Sequence, residues 1–316
     1  MTSTPPKICI LLAVHEGSRF LPEQLDSYLA QSRRDWCLLA SIDGDQDGGS
    51  ELIRAFGDTH APGQVTLIPG TRTGAFTDNF LHLLQQAPLC AEGPDWFALS
   101  DQDDVWYPDK LTRAIDQLTE MPAEMPAVYC GRTLYCAEDL TELRPSPLFE
   151  KDPAFCNALV QSIGGGNTMV LNRAALRLVR AAASEVTEIV SHDWWITQIL
   201  TATGGQVIYD PKPTLHYRQH AHNLVGENRS PRAQIRRLAQ LLDGRFRQAM
   251  DVNLRALQQS SHRFTPEAQQ LIARFVLARR CRTPIGRVLR LYRAGVWRQG
   301  KTGTAALYLA ALIGRL

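Results

Sequence analysis

Apolar residues in the first third of the chain fall in short runs. Ile8–Val14, Trp36–Ile42, Val65–Ile68 and Trp96–Leu99 each read as a strand, and the continuous run Ile8–Val14, with no alternation, suits a strand buried on both faces of a parallel sheet. Between the runs, apolar positions recur at helical spacing. Leu21–Gln31 has Pro22 at its start and Leu25, Tyr28 and Leu29 on one face; Glu51–Phe56 is a short helix; Phe76–Gln86 turns Phe80, Leu83 and Leu84 inward. Strand and helix alternating over short loops predict a doubly wound α/β sheet. Further helices are predicted over Asp109–Glu120, behind Pro108, over Arg173–Ala183, and from Ser191 as N-cap to about Thr201. Met169–Leu171 is a short apolar run and Gln206–Tyr209 reads as an edge strand. From Pro231 the pattern is helical, over Arg232–Gln259, Pro266–Arg282, Pro284–Arg298 and Thr302–Arg315.

Charge divides this picture in two. The chain of 316 residues has a net charge of only +2, yet residues 229–316 carry 18 Lys+Arg against 3 Asp+Glu and residues 1–228 carry 16 against 29. An α/β domain over 1–228 and a basic helical region over 229–316, with different partners, are therefore expected. The third C-terminal helix has Ile285, Val288, Leu289, Tyr292 and Val296 on one stripe, flanked by Arg287, Arg290 and Arg293 and preceded by Arg279, Arg280 and Arg282. Such a segment suits an anionic membrane surface; the alternative is that the arginines solvate a helical domain or pair with the acidic part. No nucleic-acid module is recognisable. Seven scattered cysteines without a C-x-x-C argue for a reducing compartment and against a disulfide framework or zinc site. Met1–Lys7 is polar and the run after it is too short for a secretory leader, and the nine residues Ala305–Ile313 are too few to span a bilayer.

The chemistry concentrates where strands end. After Trp96–Leu99 come Ser100, Asp101, Gln102, Asp103 and Asp104. Three carboxylates within four residues repel one another. At the carboxyl end of a strand they sit where α/β sheets bind ligands, and hard oxygen donors suit Mg²⁺ or Mn²⁺ held together with phosphates; the plain alternative is a solvated acidic turn. The second strand also ends in acid, at Asp43, which would face the same crevice. No G-x-G-x-x-G follows the first strand, and neither a Walker A loop nor a G-x-S-x-G elbow occurs. Gly164–Gly166, with Asn167 and Thr168, either lets a ligand approach the backbone or makes an ordinary turn. Asp193 falls in the first turn of its predicted helix, where the dipole favours the ionised form. Of Trp194 and Trp195, one can be core and the other a platform for a sugar face. His216, His220 and His222 lie close together, and an imidazole there could complete a metal shell while Arg218 meets phosphate.

In this order the motifs resemble the family 2 glycosyltransferases, inverting nucleotide-sugar enzymes of the GT-A fold, and within them the bacterial rhamnosyltransferase-like branch. The resemblance is carried by Phe20–Ser27 (FLPEQLDS), Ser41–Gly44 through Asp47-Gly48, Gly74 with Asn79-Phe80, Ser100–Trp106 (SDQDDVW), Gly165–Met169, His192–Trp195, and Tyr217–His220 with Asn223. It covers residues 7–226. It implies a Rossmann-like, mostly parallel mixed sheet flanked by helices, with the basic helical region as a C-terminal extension. By resemblance, Ala13, Val14, His15 and Glu16 would pack against the base and Asp43 would accept a hydrogen bond from a pyrimidine. Arg72, Gly74 and Asn79 would extend the nucleotide site. Asp101 and Gln102 would face ribose or sugar, and Asp103, with His220 or less favourably His216, would hold Mn²⁺ or Mg²⁺ under the diphosphate. Gly165, Gly166 and Asn167 would line the donor-sugar and acceptor pocket, and Asp193 would be the general base.

The implied reaction moves rhamnose or a similar sugar from a dTDP- or UDP-linked donor to a saccharide acceptor, lipid-linked, in bacterial surface polysaccharide or lipopolysaccharide synthesis. Its place would be cytoplasmic, at the inner face of the plasma membrane, with contact through 279–316. The competing function is a catalytically idle relative that binds sugar nucleotide or scaffolds an assembly complex, against which the joint presence of Asp43, Asp101, Asp103 and Asp193 speaks. A nucleotidyltransferase would need a glycine-rich N-terminal loop that is missing. His15-Glu16 stands where the family usually has aromatic-Asn, and SIDGDQDGG departs from a run ending in Gly-Thr.

Overall fold

A computed structural model describes residues 7–220 and 244–316. His222, Asn223 and the start of the helix expected from Arg232 lie outside the described residues. Two compact units emerge: one takes residues up to 148 with 164–184 and 206–220, and the other takes 149–163, 185–205 and 244–316.

The first unit is built on a nine-stranded mixed sheet. Its strands are β1 (Ile8–Val14), β2 (Trp36–Ile42), β3 (Val65–Pro69), β4 (Trp96–Ser100), β5 (Val105–Trp106), β6 (Ala127–Cys136), β7 (Arg144–Pro145), β8 (Val170–Asn172) and β9 (Gln206–Arg218). They lie in the order β3-β2-β1-β4-β8-β6-β9-β5, with β7 paired to β6. The block β3-β2-β1-β4 is parallel, with Val14 opposite Ile42 and Leu12 opposite Ser100. Its helices are α1 (Leu21–Leu29), α2 (Gly49–His60), α3 (Phe76–Gln86), α4 (Lys110–Leu118) and, later in the chain, α6 (Arg173–Ala183). Ile8, Ile10, Leu12 and Val14 share one core with Leu25 and Tyr28 of α1, Ile53 of α2 and Leu111 and Ile115 of α4. The intervening Cys9 and Leu11 are also fully buried, on the side where α3 meets β1 and α6 meets β4. Burial on both faces is the physical reason that β1 has no polar alternation.

The second unit holds α5 (Phe155–Ala158), α7 (His192–Ala202), α8 (Arg245–Gln259), α9 (Pro266–Arg280), α10 (Pro284–Ala294) and α11 (Lys301–Ile313). Trp194 donates its indole N–H to Ala158 O (2.6 Å), and Thr265 N–H donates to Ala202 O (3.0 Å). Thr265 and Thr283 cap α9 and α10 through their hydroxyls, each ahead of a proline in the first turn. Among the described residues no helix is long and apolar enough to cross a membrane.

Three expectations are corrected. The segment expected to be a four-residue edge strand is a 13-residue strand, β9, paired on both sides, parallel to β6 and antiparallel to β5. Its Pro211 and Pro213 are accommodated because the β6–β9 register shifts between Gly131 and Leu134, so their missing N–H groups fall at an irregularity. The helix after β2 runs from Gly49 to His60, twice the expected length: Asp45 and Asp47 accept from Ser50 N–H (2.8 Å) and Gly49 N–H (3.2 Å) and start it two residues early, and it continues four residues past Phe56. Strand β6 went unpredicted: Gly131, Arg132 and Thr133 interrupt its apolar run.

Candidate active site

Parallel pairing brings the carboxyl ends of β1, β2 and β4 to one edge, and with them His15-Glu16, Asp43 and the acidic loop. Gln102 joins two of these loops. His15 N–H donates to its Oε1 (2.8 Å) and its Nε2 donates to His15 O (3.0 Å). Gly17 is required beneath it, since a Cβ there would overlap the Gln102 amide. The His15 ring in turn contacts Asp43 O. Asp47 ties the same loop to the second by accepting from Ser18 N–H (2.7 Å).

Asp43 is buried and accepts hydrogen bonds from Arg72 N–H and, at 3.0 Å, Gly74 N–H. It therefore organises the loop after β3, in which Arg72 and Gly74 both have positive φ (60° and 69°). Asn79, expected at the nucleotide, is turned inward. Its Oδ1 accepts from Ser41 Oγ (2.5 Å) and its Nδ2 donates to Ser41 O (3.3 Å), so it pins the end of β2 to α3. Ala13 is half-buried and Val14 buried, leaving His15 and Glu16 as the exposed residues of that exit.

Asp101, Asp103 and Asp104 each present a carboxylate oxygen within 4.8 Å of the others. Asp101 and Asp103 are partly exposed and Asp104 is fully buried. His220 Nε2 lies 2.7 Å from Asp103 Oδ2, and its ring stacks on Phe20 with centroids 5.1 Å apart. His216 instead meets Tyr107 edge-on, and burial lowers its pKa. Asp104 Oδ2 accepts from Asn167 Nδ2 (2.6 Å), whereas its buried Oδ1 has no hydrogen-bond partner among the described residues. Burial pushes the Asp104 carboxyl well above its usual range, and the charges of Asp103 and Asp101 push it further. Hard donors, clustered negative charge and an unsatisfied buried oxygen fit a divalent cation, whose charge would offset that repulsion.

The glycine loop is a closed 3-10 turn over Gly166–Thr168. Gly164 has φ +76°, and a Cβ there would come within 2.7 Å of Cys130. Lys110, fully buried, donates to Asn167 O (2.5 Å) with its ammonium 3.4 Å from the Trp106 ring centre. Asn167 is thus held from its side chain by Asp104 and from its carbonyl by Lys110. Sequence reading missed Lys110, because a lysine beside Asp109 at a helix start gives no sign of a buried ammonium.

Arg218, expected to meet phosphate, is engaged inside the protein instead. Its guanidinium donates to Glu23, to Glu138 O and, from Nε, to Asp103 O (3.1 Å), and lies 4.7 Å from the Phe20 ring centre. It clamps the end of β9 to α1 and to the acidic loop. Glu23 and Glu138 were also missed, since a partner 195 residues away leaves no local trace.

Asp193 belongs to the second unit. Its Oδ1 accepts from Trp194 N–H (2.7 Å) and its Oδ2 from Ser162 Oγ (3.3 Å). Trp195 is completely buried and is the core member of the Trp194-Trp195 pair; Trp194 is half-buried, with its N–H engaged as above. His192 is buried, which lowers its pKa to about 4. A folded-state value below the unfolded 6.5 means that the stability tied to the neutral ring is complete above pH 6.5. It is lost as pH falls, levelling off near pH 4, for a total of roughly 3 kcal/mol. Urea midpoints measured across that range should fall in the wild type and fall less in His192→Gln; equal slopes would contradict the assignment.

A parallel α/β block that gathers a D-x-D loop at its carboxyl edge, extended by antiparallel strands, is the architecture of a GT-A glycosyltransferase. Residues 9–180 match the pattern of glycosyl transferase family 2, and the chain belongs to that family. It is 28% identical over 238 residues to the dTDP-rhamnosyl transferase RfbG of Shigella flexneri, covering 72% of this chain and 78% of that one. Two solved structures share the fold. One is the mannosyltransferase PcManGT from Pyrobaculum calidifontis in complex with GDP-Man and Mn²⁺ (TM-score 0.52, 15% identity, 99% of this chain and 88% of that one). The other is S. aureus TarS 1-349 in complex with UDP-GlcNAc (TM-score 0.54, 10% identity, 92% and 93%).

Proposed function

We propose that this glycosyltransferase moves a rhamnosyl or similar group from a dTDP- or UDP-linked donor to a saccharide acceptor, with inversion at the anomeric carbon. We further propose that the acceptor is lipid-linked, that the product is a bacterial surface polysaccharide, and that the enzyme works at the inner face of the plasma membrane. The observation that carries the reading is the three-carboxylate cluster with His220 on Asp103. The similarity to a dTDP-rhamnosyl transferase supports the donor.

In the reaction the acceptor oxygen bonds to the anomeric carbon as the bond to the diphosphate oxygen breaks, and the electron pair leaves on the nucleotide. Mn²⁺ or Mg²⁺, when bound, supplies Lewis-acid stabilisation to that leaving group. Asp103, with His220 beside it, would hold the ion, and Asp101 lies close enough to share it. Asp193 takes the acceptor proton; its two hydrogen bonds orient the carboxylate. Asp193→Asn should lower turnover by about 10²–10⁴-fold with donor binding retained. Unchanged turnover would remove the assignment.

The direct test is thermal shift with dTDP and UDP, with and without Mn²⁺, followed by product analysis with a panel of nucleotide sugars. Metal-dependent stabilisation and a product from dTDP-rhamnose are expected. Nucleotide binding indifferent to metal, or no product from any donor in the panel, would overturn the proposal.

A further inference from the structure

Helix α10 wears most of its apolar stripe on the outside, while Val296, past the helix end, is buried. Ile285, Leu289 and Tyr292, at spacings of four and three, form one face, and they are 70%, 51% and 72% exposed. The opposite side is the one that packs: Leu291 and Ala294 are buried, and Arg287 donates to Ala311 O (2.6 Å) and Leu312 O (2.8 Å) of α11. Water is the wrong neighbour for three large apolar side chains on one ridge. Beside the ridge, Arg274 and Leu277 of α9 join Arg290, Arg293 and Ala294 of α10 around an open cleft of about 300 Å³. These three arginines make no ion pair among the described residues, and Leu277 is itself 55% exposed.

We infer that this α9–α10 face docks on an anionic lipid bilayer, with Ile285, Leu289 and Tyr292 entering the interface and Arg274, Arg290 and Arg293 taking lipid phosphates. The geometry is that of a helix lying in the membrane plane: an apolar ridge, an aromatic with a polar tip, and basic side chains along the edge. Charge selects this occupant over a second copy of the chain. A two-fold self-contact repeats one patch on both partners and would bring like-charged arginines together; an anionic surface pairs with them. The inference names the partner surface that the proposed lipid-linked acceptor calls for, but its test involves no sugar transfer and can fail while that reaction stands.

The test is co-sedimentation of the full chain with phosphatidylglycerol/phosphatidylcholine vesicles and with phosphatidylcholine alone, at low and high salt. Two folded variants are compared, Arg290→Gln/Arg293→Gln and Ile285→Ser/Leu289→Ser/Tyr292→Ser. Their positions are exposed, and circular dichroism checks the fold; should one variant unfold, the other decides. The wild type should bind the anionic vesicles and be released by salt. The arginine variant should bind about thirtyfold more weakly, at about fivefold per basic residue, and the apolar variant should also lose binding. Equal binding to neutral vesicles, undiminished binding in the variants, or no vesicle binding alongside a dimer that the apolar variant dissociates in light scattering would each overturn the inference.

Discussion

Asp103→Asn is expected to abolish transfer, by about 10³-fold or more, while leaving the protein without ligands as stable as the wild type or slightly more so. Both halves follow from one geometry. Three carboxylates with oxygens within 4.8 Å repel one another in the absence of a cation. Removing one charge relieves that repulsion, and the amide oxygen still accepts from His220 at the site of the 2.7 Å contact. The same substitution takes away a hard anionic ligand. The wild type should therefore gain thermal stability from dTDP with Mn²⁺ and the variant should not. Loss of activity together with a large fall in the melting temperature would instead make Asp103 a structural residue. An active site that destabilises its own fold is a common consequence of selection for function.

Lys110→Met should be strongly destabilising, at about 3–5 kcal/mol. The ammonium is fully buried between the Trp106 ring and Asn167 O, and it faces the acidic loop. Burial drives its pKa well below the usual lysine value just as it drives that of Asp104 up. Both charges are desolvated, and the attraction between them, bridged by Asn167, offsets part of that cost. Methionine keeps most of the volume, leaves Asn167 O without its donor, and deprives Asp104 of the nearby positive charge. A domain of this size should lose about 10 °C in melting temperature. The double variant Asp104→Asn/Lys110→Met should recover part of the loss, because the uncompensated carboxylate is gone as well. Simple additivity of the two single changes would show that the residues do not act as a unit.

These two residues show how unevenly the site could be read. Asp103 announces itself: adjacent carboxylates after an apolar run have few structural reasons to be there, and a strand's carboxyl end gives them a chemical one. Lys110 hides at the start of a helix that looks amphipathic and ordinary. Arg218 misled in the other direction. Its neighbours His216 and His220 suggested an anion site, but Glu23, Glu138 and Asp103 converge on its guanidinium from three separate segments. Asn79 and Trp195 carried the right motif and face inward, one as a tie between β2 and α3, the other as core.

Periodicity and punctuation were enough for the parallel block, the acidic loop and the basic helical end, because these rest on local rules: burial on both faces removes alternation, prolines and caps start helices, and like charges cluster only when something requires them; the family came from the resemblance of the ordered motifs. Which polar side chain meets which was decided by folding alone. The Asn167 clasp, the Arg218 clamp, the two-sided pairing of β9 and the outward turn of the Ile285–Leu289–Tyr292 ridge depend on contacts between segments tens to hundreds of residues apart, and such contacts are set by how the elements pack rather than by the composition of any one of them.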